Sequence, residues 1–107
     1  MKLRELEAKF LVIETPVRSR MTEELKDAHG VTFLCPKCFA ANNGPVGTHH
    51  VLCWFKGVDP ERSPGPGRWN PQGTGLDDLT FVPPGAVSVQ LMSGCMWHGH
   101  VSQGAAA

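Results

Sequence analysis

Short apolar runs separated by glycine and proline recur along the chain and predict β-strands. The runs are residues 9–14, 31–34, 50–55, 79–82 and 86–92. Residues 86–92 alternate between apolar and polar positions, which is typical of a strand with one buried face. Residues 50–55 (HVLCWF) are the most apolar and predict the best buried strand. A chain that carries several short strands in this way is expected to be mostly β.

One segment has the pattern of a helix. Thr22 is a typical N-cap residue, acidic residues follow it, and Gly30 stands where the helix would end. Lys26 and His29 would lie in the last turn, where positive charge favours the helix dipole. We therefore expect an α+β fold that is mostly β, with an antiparallel sheet and one short N-terminal helix.

Two glycine- and proline-rich segments predict turns. Residues 41–47 (ANNGPVG) contain Asn43-Gly44, a frequent hairpin turn. Between residues 57 and 75, nine of 19 residues are glycine or proline, which predicts a long surface loop.

Length and charge limit the organisation and the partners. The 107 residues are enough for one domain, which we divide into a polar arm at 1–30, a β core at 31–104 and a tail at 105–107. Ten basic and ten acidic residues balance, which disfavours a dedicated nucleic-acid binder. No apolar run reaches the ~20 residues of a membrane-spanning helix. Glu5 and Glu7 interrupt the segment where a secretory signal needs apolar residues, so we expect a protein that is neither secreted nor transmembrane.

Paired metal-ligand residues give the strongest chemical signal. Cys35-Pro36-Lys37-Cys38 and Cys95-Met96-Trp97-His98 each follow an apolar strand and each hold two ligand types three positions apart. Together they predict one tetrahedral zinc ion bound by Cys35, Cys38, Cys95 and His98. Four protein ligands leave no position for water, so this zinc is predicted to be structural. The predicted architecture is a small zinc-ribbon-like antiparallel sheet.

Other uses of the cysteines remain open. Four cysteines allow disulfides, although no secretory signal is evident. Cys35 and Cys38 have the spacing of a redox pair, but Asn43-Gly44-Pro45 leaves little room for the helix that such a pair needs. Small buried apolar thiols are the third alternative.

Several further residues are alternatives to the predicted ligands. Cys53 lies inside the run 50–55 and is interpreted as a core thiol. The alternatives for second-sphere or substitute ligand are His49, His50, Cys53, Asp77 and His100.

Catalytic motifs are absent from the sequence. Neither His-Glu-x-x-His nor a phosphate-binding loop occurs, so the protein is more plausibly non-enzymatic. A metal-dependent hydrolase that uses the zinc with His49, His50 or Asp77 is an alternative. A nucleic-acid-binding zinc ribbon is another, because Lys37 and Arg68 could form a local basic patch. Arg68 and Trp69 have the composition of a protein-binding surface.

Residues 31–104 resemble a small family of phage and prophage proteins of unknown function, often mislabelled as ammonia monooxygenase. The resemblance lies in FLCPKCFAANNGPVGTHHVLCWF, GPGRW, GTGLDDLTF and GCMWHGHVSQG, together with SVQL. It implies a phage origin and the same zinc ligands, and it implies no reaction. We therefore expect a zinc-stabilised protein-binding module in the bacterial host cytoplasm or the phage particle. Its partner would be a phage structural protein or a host protein.

Overall fold

A four-stranded antiparallel sheet forms the frame of the molecule. The structure is a computed structural model, and it describes residues 1–15, 17–58 and 68–107. The strands are β1 (Lys9–Thr15), β2 (Arg18–Thr22), β3 (Gly30–Leu34) and β4 (His50–Trp54), in the spatial order β2-β1-β3-β4. All neighbouring strands in this sheet are antiparallel. The expected α+β, mostly β, antiparallel fold is confirmed.

The segment predicted to be the N-terminal helix is not helical in the structure. Residues 18–22 form β2, and residues 23–29 connect β2 to β3 without an α-helix. Because β2 and β3 lie on opposite sides of β1, this connection must cross β1. The Thr22 hydroxyl oxygen accepts the Glu24 backbone N–H at 3.1 Å, which is the hydrogen bond of a local turn and not of a helix cap. A helix of about two turns is marginal without packing, so the weak helical preference of this segment gives way to the connection between the strands.

The α-helix of the described residues lies at a different place, directly after β3. Helix α1 spans Pro36–Asn42, with Cys35 as its N-cap residue and proline at the first helical position. Asn43 ends the helix in the left-handed conformation (φ 56°). The Asn43-Gly44 pair is therefore a helix C-terminal signal here, and not the hairpin turn that the sequence predicted. Near the N-terminus, Leu3–Leu6 form a single 3-10 turn.

Short paired strands complete the fold. β5 (Asn70–Gln72) pairs with β6 (Thr80–Val82), β7 (Val89–Gln90) with β8 (His98–Gly99), and β9 (Val101–Ser102) with β10 (Ala105–Ala106). The strand predicted over 86–92 shortens to β7. The loop predicted over 57–75 contains β5, and its residues 59–67 lie outside the described residues, as does Pro16.

The core lies against one face of the four-stranded sheet. Phe10 and Phe33 are fully buried, and Trp97 stands edge-on to Phe33 at a ring distance of 6.0 Å. Phe55 packs between Phe10 and Phe81 at 6.4 Å from each. Cys35, the N-cap residue of α1, is buried in the same cluster, so the core fixes the position of this end of the helix.

Residues 105–107, expected to be a tail without a structural role, form part of the body. Ala106 is fully buried, and its backbone exchanges hydrogen bonds with Met1. The hairpin between β9 and β10 turns at Gln103 and Gly104, both with positive φ. The Gly104 N–H donates to the Leu79 carbonyl, and its own carbonyl accepts from Leu3. The two ends of the chain thus pair with each other.

Candidate metal centre

Cys35 and Cys38 are presented by the start of α1. Cys35 has extended backbone angles, and its carbonyl oxygen accepts the Phe39 N–H at 2.8 Å, which begins the helix. Cys38 follows three positions later, and residues three apart share one side of a helix. Both thiols therefore face the same region at the helix N-terminus.

His49 reaches the same region through the ladder between β3 and β4. Leu34 pairs with His50, and the ladder continues one step further, where the Cys35 N–H donates to the His49 carbonyl at 2.9 Å. Cys35 and His49 are thus neighbours across two strands, although they are 14 positions apart. The His49 side chain is exposed and lies on the outer side of the group.

Cys95 enters from the connection between β7 and β8. Residues 91–97 form a tight turn in which Gly94 and Met96 have positive φ (67° and 59°). The Lys37 ammonium donates to the Cys95 carbonyl at 2.8 Å and so ties this turn to α1. A residue 60 positions from Cys35 is thereby brought into contact with it.

The four side chains form one compact donor group. The ligand atoms of Cys35, Cys38, His49 and Cys95 all lie within 4.8 Å of one another. The Cys35 and Cys95 sulfurs are 3.6 Å apart, and the His49 Nε2 atom is 3.3 Å from the Cys95 sulfur. Cys35 is buried, Cys38 and Cys95 are half-buried, and His49 is exposed. These residues form a candidate metal-binding group at the surface of the core.

Contacts within the donor group shift the pKa values of Cys95 and Cys38 in opposite directions. The hydrogen bond from His49 lowers the pKa of Cys95 to about 6, despite an opposing effect of burial. The thiol of Cys38 donates toward Cys95, and this raises the pKa of Cys38 to about 11. A thiolate beside a protonated neighbour is the arrangement expected where sulfur atoms converge on one point.

His98 lies outside this group, and the structure corrects its assignment as a ligand. His98 begins β8, opposite Gln90, and successive strand residues face opposite sides. Trp97 turns into the core and His98 turns to solvent, where its ring stacks on that of His100 at 6.3 Å. The histidine of the donor group is His49.

The other candidate residues are placed elsewhere. Cys53 is fully buried in β4, as predicted for a core thiol, and burial raises its pKa to about 12. His50 and His100 are exposed and are not members of the donor group. Asp77 pairs with Arg4 at 2.6 Å.

The expected partner surface at Arg68 and Trp69 is not an exposed one. Trp69 is buried, stacks near Phe81 and donates its indole N–H to the Ser88 carbonyl at 2.9 Å. The Arg68 guanidinium donates to the Val58 carbonyl at 3.1 Å. Trp69 is thus part of the core, and Arg68 is half-buried.

An open cleft lies beside the donor group. It has a volume of about 300 Å³ and is lined by Cys38, His49, Leu91, Met92, Ser93, Gly94 and Cys95. Small solutes can therefore reach the half-buried sulfur atoms from solvent. The lining contains no carboxylate.

The structure also bears on the alternative roles of the cysteines, as disulfides or as a redox pair. All four cysteines are free thiols. A helix does follow Cys35, contrary to the expectation that argued against a redox pair, but Cys35 is fully buried and a third thiol and a histidine share its surroundings. The arrangement is that of a candidate ligand group.

No helix in the described part of the chain is long and apolar enough to cross a membrane. The chain matches no protein-family model, no curated protein and no solved structure.

Proposed function

We propose that the chain binds one zinc ion through Cys35, Cys38, His49 and Cys95. The observation that carries the proposal is the mutual distance of the four donor atoms. Zinc bound tetrahedrally, with bonds of about 2.3 Å to sulfur and about 2.0 Å to nitrogen, holds two sulfurs about 3.8 Å apart and a sulfur and a nitrogen about 3.6 Å apart. The distances of 3.6 Å between Cys35 and Cys95 and 3.3 Å between His49 and Cys95 need only a small expansion.

The chemistry of the donors supports zinc among the common ions. Three thiolates and an imidazole are soft or borderline ligands, whereas magnesium and calcium prefer oxygen. The His49 ring also has a suitable second contact, because Nδ1 lies 3.3 Å from the His50 carbonyl oxygen. With the proton on Nδ1, that carbonyl accepts it and leaves the Nε2 lone pair free for the metal.

The ion would act as a structural clamp. Four protein ligands complete a tetrahedral site, so no coordination position remains for water. The ligands come from the start of α1, the residue before β4, and the turn at 91–97. One ion would therefore fix three segments that the core holds only at their ends.

The hydrolase alternative lacks a base at the site. Asp77 is engaged by Arg4, and Asp78 accepts the backbone N–H groups of Thr74 and Gly75 at 2.9 Å. No carboxylate lines the cleft beside the donor group. A zinc hydrolase needs a base within hydrogen-bond reach of its water. With His49 used as a ligand, the residues that line the cleft offer none.

We further propose that the clamped loops bind another protein, without enzymatic activity. Support comes from exposed apolar side chains on the ligand-bearing loops: Val46 is 87% exposed, Met92 72% and Met96 53%. Flexible methionines at a surface suit protein contacts. The resemblance described above makes a phage structural protein or a host protein the proposed partner, with the chain as a particle component or an accessory factor.

The metal proposal is tested by the zinc content of matched histidine variants. We expect about one zinc per chain in the purified protein, loss of most of it in His49→Ala, and retention in His98→Ala. Both histidines are exposed, so the two variants remove similar side chains from similar surroundings. The measurement is elemental analysis of metal per chain after gel filtration. Zinc lost from His98→Ala and kept by His49→Ala would reverse the assignment.

The binding proposal is tested on the exposed apolar side chains. We expect Met92→Ser to reduce capture of the partner from phage-infected cells by about tenfold, as for loss of a buried anchor. Val17→Ser is the matched control, because Val17 is 96% exposed but lies at the β1–β2 turn. Equal capture by both variants would exclude the ligand-bearing loops as the contact surface.

A further inference from the structure

The sulfur atoms of Cys35 and Cys95 are the starting point for a second property of the site. They lie 3.6 Å apart, which is direct contact between two sulfurs, although the residues are 60 positions apart. Cys35 is fully buried against the core, whereas Cys95 is half-buried and lines the open cleft. One sulfur of the pair is therefore accessible to small solutes and the other is shielded behind it.

The position of Cys95 allows the sulfurs to approach further. A disulfide requires about 2.05 Å between sulfurs, so the pair must close by roughly 1.5 Å. The turn at 91–97 is exposed at Met92, Ser93 and Gly94 and can follow this movement. The bond from Lys37 to the Cys95 carbonyl holds the turn beside α1 throughout.

We propose that peroxide joins Cys35 to Cys95 in a disulfide, which expels the metal ion but keeps the start of α1 connected to the turn at 91–97. This inference rests on the proposed metal site and assigns its regulation. After oxidation, Cys38 and His49 remain as two ligands, too few to retain zinc. The covalent bond replaces the ion as the link between α1 and the turn at 91–97.

The chemical step balances with hydrogen peroxide as the oxidant. The Cys95 thiolate attacks one peroxide oxygen, forming a sulfenic acid and releasing hydroxide. The Cys35 thiolate then attacks the Cys95 sulfur, the S–S bond forms, and a second hydroxide leaves. Both hydroxides take up protons and become water. In sum, two thiolates lose two electrons and one peroxide gains them.

Two reagents that both remove the metal are thus expected to differ in their effect on the stability of the fold. A chelator leaves reduced cysteines and no link, so unfolding is expected at lower temperature. Peroxide leaves a disulfide that constrains the unfolded chain, so stability is expected to stay close to that of the metal-bound protein. Reduction with dithiothreitol in the presence of zinc should restore the starting state.

The experiment uses the full-length, zinc-loaded protein. Millimolar peroxide is added, the released zinc is followed with a chromogenic chelator, and the product is alkylated and digested with trypsin without reduction. Cleavage after Lys37, Lys56 and Arg68 separates Cys35, Cys38 and Cys95 into different peptides. The expected product joins residues 27–37 to residues 69–107, with about one zinc released per disulfide.

A control variant and the contrary outcomes distinguish failure of the redox inference from failure of the metal proposal. Cys53→Ala removes a fully buried thiol and should leave zinc release and the disulfide unchanged. A bond between residues 27–37 and 38–56, or zinc retained under peroxide, would overturn the redox inference while leaving the metal site in place. Purified protein without metal would overturn the metal proposal as well, and elemental analysis before oxidation distinguishes the two failures.

Discussion

A search for metal ligands by their spacing in the sequence does not single out His49. Cys35, Cys38 and Cys95 are apparent in the sequence because each pair of ligand types stands three positions apart. His98 fits that spacing but falls on a strand whose alternation turns Trp97 inward and His98 outward. His49 has no ligand at such a spacing. Pairing the predicted strands 31–34 and 50–55 as a hairpin would have placed residue 49 opposite residue 35.

Asp78 leads to a prediction on pH dependence. Its carboxylate accepts backbone N–H groups from Thr74 and Gly75, and these bonds hold its pKa below the usual range. Because the folded pKa is lowered, the stabilisation is present above the unfolded pKa of about 3.9 and is lost as the pH falls through the folded value. We expect Asp78→Asn to be less stable than the parent protein at pH 7, with the difference vanishing in strong acid.

Urea unfolding of both proteins between pH 7 and pH 2 measures this difference. Asp27→Asn is the matched control, because Asp27 is exposed and makes no hydrogen bond or ion pair with the described residues. A gap between Asp78→Asn and the parent that stays constant with pH would contradict the assigned role of the carboxylate.

At the scale of elements, three of the four strands of the main sheet were predictable, and the helix was not. The runs at 9–14, 31–34 and 50–55 became β1, β3 and β4 because their apolar residues cover one core. The segment 22–29 carries good helix signals, yet it must cross β1 to connect strands on either side. The order of the strands in the sheet is not visible in the local sequence, and here it overrides a weak helix propensity.

The hairpin between β9 and β10 depends on a single glycine. Gly104 has φ of 74°, and a Cβ atom there would lie 2.4 Å from the Asp77 carbonyl oxygen and 2.7 Å from that of Leu76. Both contacts are with backbone, which cannot move aside as a flexible side chain can. We expect Gly104→Ala to lower the free energy of unfolding by at least about 2 kcal/mol.

Thermal and urea unfolding of Gly104→Ala against Gly75→Ala test this expectation. Gly75 has ordinary backbone angles and open space where a Cβ would stand, so its replacement should change stability by less than about 0.5 kcal/mol. Equal stability of the two variants would show that the turn tolerates a side chain.

At the scale of the whole molecule, the sequence predicted the fold class better than the pairing of distant segments. An α+β, mostly β fold was expected and is confirmed. The role of residues 105–107 was missed, since three alanines carry neither pattern nor polarity to indicate that Ala106 is buried. When such a segment pairs with a distant part of the chain, the pairing depends on the packed structure and cannot be recognised from the local sequence.

The pairing of the chain's first and last described residues has a consequence for how the protein forms. Leu3 donates to Gly104, Met1 and Ala106 bond to each other, and Cys95 meets Cys35 across 60 positions. A nascent chain on the ribosome therefore lacks the partners of residues 1–3 and of Cys35 until residues 95–106 have been synthesised. Contacts between remote positions slow the search for the native state, so folding in milliseconds to seconds is expected. During that interval the three unligated thiols are open to any metal the cell supplies.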